Sequence, residues 1–235
     1  MILPPPIVVE HDGIHVVRDD LVGGGTKARY MVHLFRHADE VVYATPAEGG
    51  AQTALAWAAR ELGKKATLFV AKRAKPHPRA LMAKRLGATV WQVSPGYLTV
   101  VQARARAYCA ATGATLAPFG VDMPEAIDVI AQAALATGIV PDEVWCASGS
   151  GVLMRGLTKA WPNARRHAVQ IGRDLSPEDV AGAEIHVHPL AYSQQSKAPC
   201  PFPADPHYDR KAWEIAKARR GAGLVLFWSV TGPAD

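Results

Sequence analysis

Residues 143–157 read EVWCASGSGVLMRGL, and this stretch contains the transition that decides the fold. Its first part, Glu143–Ala147, is short and mostly apolar, which predicts a buried strand. Small residues follow at 148–151, and Val152–Trp161 has a helical pattern. A strand, a glycine-rich turn and a helix in this order are typical of a parallel sheet, in which helices connect the strands.

The same alternation runs through the rest of the chain. Other short segments rich in β-branched or aromatic residues predict strands at His15–Arg18, Glu40–Ala44, Ala66–Ala71, Thr89–Val93, Thr115–Ala117, His167–Ile171, Glu184–Val187 and Leu224–Trp228. Helical patterns lie between them at Lys27–Phe35, Gly50–Leu62, Pro78–Leu86, Leu98–Ala111, Pro124–Thr137 and Tyr208–Arg220. We therefore expect a three-layer α/β fold, with open parallel sheets and helices on both faces. The proline-rich stretch Leu190–Pro206 is the one long irregular segment, and such a loop is usually functional or mobile.

Composition narrows the class of protein. The chain has 235 residues, of which 49% are hydrophobic and 20% charged, which suits one large domain or two small ones. An apolar run long enough for a membrane span is absent, and the start MILPPP does not resemble a secretory signal. Three scattered cysteines form neither a disulfide framework nor a metal pair, so we expect a cytoplasmic protein.

The positive charge is concentrated in one segment. The net charge is only +5, yet no acidic residue lies between Glu61 and Asp122. Such a segment either faces a polyanion or forms a solvated face whose counter-charges come from elsewhere in the fold. The candidate contacts to an anionic substrate are Lys72, Arg73, Lys75 and Arg79, with Arg104 and Arg106 if they share the same face.

Two glycine-rich loops could carry chemistry. The first, Gly23–Thr26, places Lys27 in the first turn of a helix, where a cation is disfavoured by the helix dipole. A desolvated lysine has a lowered pKa and can form a Schiff base, whereas the alternative is a flexible loop followed by a solvated lysine. The second loop, Gly149–Gly151, could present backbone amides to a phosphate, or it could be a tight structural turn.

Four motifs in chain order resemble the fold type II enzymes, the tryptophan synthase β-like group that uses pyridoxal 5'-phosphate. They are Val17–Tyr30 with Gly-Gly-Thr-Lys, Gly149–Leu157 with the phosphate loop, Asp205–Ala212, and Val225–Gly232. Within that family the chain looks similar to the 1-aminocyclopropane-1-carboxylate deaminase and D-cysteine desulfhydrase group. Its short form is also similar to phage enzymes that act on hypermodified DNA.

The resemblance implies roles for particular residues. Lys27 would hold the cofactor as a Schiff base, and Gly149, Ser150 and Gly151 would bind its phosphate. Asp209 would lie beside the pyridine nitrogen and keep it protonated, which makes the ring an electron sink.

Three hydroxyl groups complete the implied site. Tyr208 would act as an acid or base, and Thr231 and Ser229 are candidates for contacts to the ring. The chain departs from the family at Gly50, where the family has an asparagine, and at Leu153, where it has a threonine.

The family's organisation implies two lobes and a homodimer. We expect residues 1–38 and 122–235 to form a larger cofactor-binding lobe, and 39–121 a smaller basic lobe. A short chain with a basic lobe favours a decarboxylase or lyase that acts on an amino acid attached to a polyanion, such as a modified thymidine in phage DNA. The location would then be the host cytoplasm. The alternatives are a deaminase or desulfhydrase-type lyase on a small free amino acid, and a binding module without catalysis.

Histidine pairs are the remaining candidates for chemistry. His33 and His37 are four residues apart on one predicted helix, and His186 and His188 alternate on a predicted strand. Each pair could be half of a metal site. Since no carboxylate or cysteine nearby in the sequence completes either set, we expect no metal. We also expect Cys146 to be buried and inert.

Overall fold

The computed structural model describes residues 3–234 of the chain. Within that range the elements are β1 (Val8–His11), β2 (Ile14–Arg18), α1 (Thr26–Leu34), β3 (Glu40–Thr45), α2 (Ala51–Glu61), β4 (Lys65–Ala71), α3 (Pro78–Arg85), β5 (Thr89–Val93), α4 (Leu98–Thr112), β6 (Thr115–Leu116), α5 (Pro124–Leu135), β7 (Glu143–Ser148), α6 (Val152–Ala160), β8 (Arg165–Gln170), β9 (Glu184–Val187), α7 (Asp209–Arg219) and β10 (Val225–Ser229).

The chain divides into two compact units, each with its own sheet. Among the described residues, the smaller unit comprises Lys27–Val121 and Ala234, and the larger one comprises residues 3–26 and Asp122–Pro233. The first division therefore falls after Thr26, so that most of α1 belongs to the smaller unit instead of the expected 1–38 segment. The second division falls after Val121.

The sheet of the smaller unit has the strand order β5-β4-β3-β6, and all of its strands are parallel. Val42 and Phe69 point to one face, where they pack against Val101 and Ala105 of α4. Their neighbours Tyr43 and Leu68 point to the other face and are also buried. Burial on both sides confirms the layered arrangement that the apolar strands predict.

The sheet of the larger unit has the order β1-β2-β10-β7-β8-β9. All of its pairs are parallel except β1 with β2, which form an antiparallel hairpin. The expected parallel sheet therefore carries one antiparallel strand at this edge, β1, which was not predicted. Two of its four residues are exposed and the other two are only partly buried, so β1 lacks the apolar pattern of a buried strand. Asp12 and Gly13, both with positive φ, form the two-residue turn that this dipeptide favours.

Aromatic side chains fill the core of the larger unit beneath α7. Trp213 of α7 contacts Phe227 of β10 edge-to-face at 5.4 Å between ring centroids, and Trp145 of β7 lies in the same cluster. Val144 and Cys146 point to the opposite face and are fully buried. The sheet is therefore covered on both faces, as an α/β fold requires.

The irregular segment Leu190–Pro206 packs against α7. The buried Lys211 donates hydrogen bonds to the carbonyls of Ala191 at 2.7 Å and Leu190 at 3.4 Å. The Phe202 ring packs edge-to-face on Trp213. A side chain of α7 thus satisfies the backbone of this segment, which lacks regular structure of its own. None of the described helices is long and apolar enough to cross a bilayer.

Candidate active site

The turn Gly149–Gly151 joins β7 to α6 and has the backbone of an anion-binding turn. Gly151 caps α6 with φ +82°, and a Cβ atom there would overlap the carbonyl oxygen of Asp179. Only glycine fits this position. Within residues 3–234 the amides of Gly149, Ser150 and Gly151 donate to no protein group. Three free amides at the start of a helix favour a bound anion.

Two side chains border this turn. The Arg173 guanidinium donates from Nε to the Gly149 carbonyl at 3.2 Å and from Nη2 to Asp179 at 2.7 Å. The Tyr208 hydroxyl donates to the Ala147 carbonyl at 3.5 Å, and it would lie 3.3 Å from a Cβ on Gly149. Tyr208 was implicated at the cofactor by the sequence, whereas no role was predicted for Arg173. The available signal was the position of Arg173 in the loop after β8, at the strand end where ligands bind.

Asp209 is fully buried at the first residue of α7. Its Oδ1 accepts a hydrogen bond from the amide of Val230 at 3.0 Å, and its Oδ2 accepts one from Thr231 at 2.9 Å. Burial raises the pKa of this carboxyl group well above its usual value, and the two hydrogen bonds oppose that shift. Asp209 therefore fixes the segment that follows β10, which includes Thr231.

Ser229 is a buried hydroxyl whose Oγ has no hydrogen-bond partner among the residues the structure describes. Ser229 is the last residue of β10, which lies beside β7 in the sheet. In this pairing Trp228 of β10 lies opposite Cys146 of β7. Since buried polar groups nearly always have partners, this hydroxyl is suited to a polar atom of a bound molecule. The free amides after β7 suit an anionic group of a ligand, and this hydroxyl suits a further polar atom.

The glycine loop before α1 is fixed to the end of β10. Thr26 donates its amide to the Val230 carbonyl at 2.9 Å, and its hydroxyl accepts from the Trp228 indole at 2.9 Å. Gly25 has φ +70°, and a Cβ there would overlap the Val230 carbonyl oxygen. These contacts hold Gly25 and Thr26 in place, which contradicts the alternative of a flexible loop. Lys27 directly follows Thr26 in the chain.

In the smaller unit, Lys27 is partly buried and its amine donates to the Tyr30 hydroxyl at 3.1 Å. The Tyr43 phenol also lies close enough to Lys27 for the charge of the amine to influence the Tyr43 pKa. Burial raises the pKa of Tyr43, and the positive charge of Lys27 opposes the rise. Sequence analysis missed both tyrosines, although Tyr30 lies three residues after Lys27 on the same helix face.

The basic residues of the smaller unit do not form one surface. Lys72, Arg73 and Lys75 are exposed in the loop after β4, and Arg73 pairs with Glu48. Arg79 is 4% exposed, and its guanidinium lies 3.7 Å from a Cβ built on Gly50. Arg104 and Arg106 belong to α4, which covers the sheet face opposite α3.

Comparison with known proteins gives a consistent result. The family model described as "Pyridoxal-phosphate dependent enzyme" matches residues 8–221. A search of curated proteins finds no match. Among solved structures, a homologue of ACC deaminase has 18% identity and a TM-score of 0.77, over 93% of this chain and 84% of that one. Serine racemase from maize has 14% identity and a TM-score of 0.74, over 97% and 87%. Diaminopropionate ammonia lyase from Escherichia coli has 16% identity and a TM-score of 0.66, over 99% and 84%.

Proposed function

This chain belongs to the family of pyridoxal-phosphate dependent enzymes, and from that premise we propose that it is a deaminase- or lyase-type enzyme acting on a small free amino acid. The main support for the proposal is that two sets of polar groups at the strand ends of the larger unit have no hydrogen-bond partner in the part of the chain that the structure describes. The amides of Gly149–Gly151 and the Ser229 hydroxyl are all without protein partners within the described residues.

These residues fit the cofactor. The Lys27 amine would hold its aldehyde carbon, the amides of Gly149, Ser150 and Gly151 its phosphate, and the Ser229 hydroxyl a polar atom of its ring. When bound, the cofactor supplies an electron-withdrawing ring that stabilises negative charge at the substrate Cα. Arg173 adds a positive charge beside the glycine turn, where it strengthens binding of a dianion.

Lys27 and Tyr30 would share the proton transfers. The amine must be neutral to react, and one of its two N–H bonds would then still donate to the Tyr30 hydroxyl, which leaves the lone pair free. Tyr30 thereby orients the lone pair of the Lys27 nitrogen. Once the substrate has displaced it, the same amine is the base that can take the proton from Cα.

Asp209 would position the loop after β10. Both of its oxygens accept amide hydrogen bonds. Burial favours the neutral form of the carboxyl group, which disfavours a negative charge beside the pyridine nitrogen. The role beside that nitrogen stays a prediction. Tyr208 lies against the phosphate turn, so its use as an acid or base stays a prediction too.

A small substrate suits the smaller unit better than a polymeric one. Arg79 is buried beside Gly50, and a buried guanidinium suits a single carboxylate. The exposed cations in the loop after β4 are few, and Arg73 already pairs with Glu48. The relatives named deaminase or ammonia lyase also support this choice over a nucleic-acid substrate. A homodimer and a cytoplasmic location stay predictions.

The test begins with Lys27→Ala and, as a matched control, Lys84→Ala on the exposed face of α3. Purified wild type and the control should show a visible absorption band that borohydride abolishes, with the label mapping to residue 27. A band that survives in Lys27→Ala would overturn the assignment. Release of ammonia and a 2-oxo acid from small amino acids supports the proposal. Carbon dioxide release, or turnover only of amino acids attached to DNA, would contradict it.

A further inference from the structure

Three metal-ligating side chains meet on the face of the larger sheet beneath α7. Strand pairing places His167 of β8 opposite Glu184 of β9, and His186 lies two residues further on the same face. The Nδ1 of His167 is 3.1 Å from the Nε2 of His186. The Glu184 carboxylate spans both rings, with Oε2 3.3 Å from His167 Nδ1 and Oε1 3.6 Å from His186 Nε2.

These separations match the edges of a coordination tetrahedron. Ligand bonds of about 2.0–2.1 Å in a tetrahedral site place neighbouring donor atoms about 3.3–3.4 Å apart. Two imidazoles and a carboxylate are also ligands that Zn²⁺ accepts readily. We propose that His167, Glu184 and His186 bind one Zn²⁺ ion, with water as the fourth ligand.

The surroundings of His167 support this site. Its other ring nitrogen, Nε2, is buried without a hydrogen-bond partner among the described residues and faces the buried carboxylate of Glu143 at 3.9 Å. A metal on Nδ1 leaves the proton on Nε2, directed at that carboxylate, which is the usual arrangement behind a metal-bound histidine. The Trp145 indole stacks on the His167 ring at 4.1 Å and holds its orientation.

The site has an open side through which an ion and water can enter. The Glu184 side chain is 64% exposed, whereas that of His186 is 4% exposed. His167 and Glu184 lie in the amino-terminal halves of β8 and β9, and His186 lies two residues further along β9, whereas the glycine turn 149–151 follows the carboxyl end of β7. A metal here would tie the edge strand β9 to β8 and would take no part in chemistry at the cofactor.

The cluster differs from the two histidine pairs considered in the sequence, since it combines His186 with a carboxylate and with a histidine of another strand. Glu184 lies two residues before His186 and completes the cluster. The third ligand comes from a neighbouring strand, so sequence spacing could not reveal it. His188 is not a member, because its Nε2 contacts Glu214 at 3.2 Å.

Arg219 makes the ligand atom of His186 testable. Its Nη1 lies 3.3 Å from His186 Nδ1. Ligation through Nε2 puts a proton on Nδ1, so the guanidinium has to turn into the solvent that already surrounds it. Arg219→Gln can instead accept a hydrogen bond from that proton, and we expect it to bind Zn²⁺ more tightly than the wild type. Unchanged or weaker binding would contradict ligation through Nε2.

The experiment titrates Zn²⁺ into the metal-stripped holoenzyme in competition with a coloured chelator. We expect one ion per chain and, for Glu184→Gln and His167→Asn, at least about tenfold weaker binding, since even partners outside the ligand shell typically contribute that much. Glu184→Gln changes an exposed side chain, so it preserves the fold if His167→Asn does not. The exposed His37→Ala serves as control and should bind like the wild type. Absence of Zn²⁺ binding, or equal affinity in wild type and Glu184→Gln, would overturn the proposal.

Discussion

Replacing Asp209 separates its structural role from any role at the cofactor. In Asp209→Ala the partly buried amides of Val230 and Thr231 lose their acceptors, which lie at 3.0 and 2.9 Å in the wild type. A typical intramolecular hydrogen bond contributes about 0.5–1.5 kcal/mol, so the loss of both should lower the unfolding free energy by about 1–3 kcal/mol. Asp209→Asn keeps one acceptor oxygen and should lose about half as much.

The same residue predicts a pH dependence. Burial raises the folded-state pKa of Asp209 above its ordinary value of 3.8. A raised carboxyl pKa contributes stability that is fully present below the unfolded pKa and is lost as the pH rises through the folded pKa. The stability of the wild type relative to Asp209→Asn should therefore fall as the pH increases above about 4, because the amide does not titrate.

Urea denaturation of the apo and holo forms at several pH values measures both effects. Asp142→Ala is a matched control, because Asp142 accepts one amide hydrogen bond, from Leu224 at 2.7 Å, in an exposed position. It should cost no more than about 1 kcal/mol. If Asp209→Ala unfolds at the same urea concentration as the wild type, or if the difference from Asp209→Asn does not change with pH, the reasoning is wrong.

Three further predictions concern single side chains. Gly151→Ala should lose at least about 1–2 kcal/mol, because its φ of +82° is left-handed and a Cβ overlaps Asp179, and fluorescence titration should show weaker cofactor binding. A wild-type affinity would contradict the role of this turn. Cys146 should resist iodoacetamide in the native protein, since burial raises its pKa to about 12, and peptide mapping should find it labelled only after unfolding. Trp213→Ala should lose about 3–5 kcal/mol in thermal denaturation, because the ring is fully buried among aromatic neighbours; a loss below 1 kcal/mol would show that the core closes around the gap.

Local patterns predicted the elements well, because each buried strand and amphipathic helix is encoded in consecutive residues. Lys27 and Gly149–Gly151 could be selected as candidates because each lies in or directly after a glycine-rich run of adjacent residues. Ser229 was a candidate through the resemblance, but the sequence could not show that its buried Oγ has no partner among the described residues, since that is a property of the packed fold. His167 meets Glu184 only through strand pairing, and β1 has too little buried surface to show a pattern.

The position of β2 has a consequence for biosynthesis. This strand comes from residues 14–18, yet it lies inside the larger sheet and pairs with β10 at residues 225–229. The smaller unit, by contrast, is formed mainly by the continuous stretch Lys27–Val121, in which β3 pairs with β4 and β4 with β5, each time the next strand in the chain. Since local contacts form faster than distant ones, the smaller unit should fold while translation continues. The β1–β2 hairpin is synthesised before the smaller unit and has to wait, with one edge of β2 unpaired, until β10 has been synthesised.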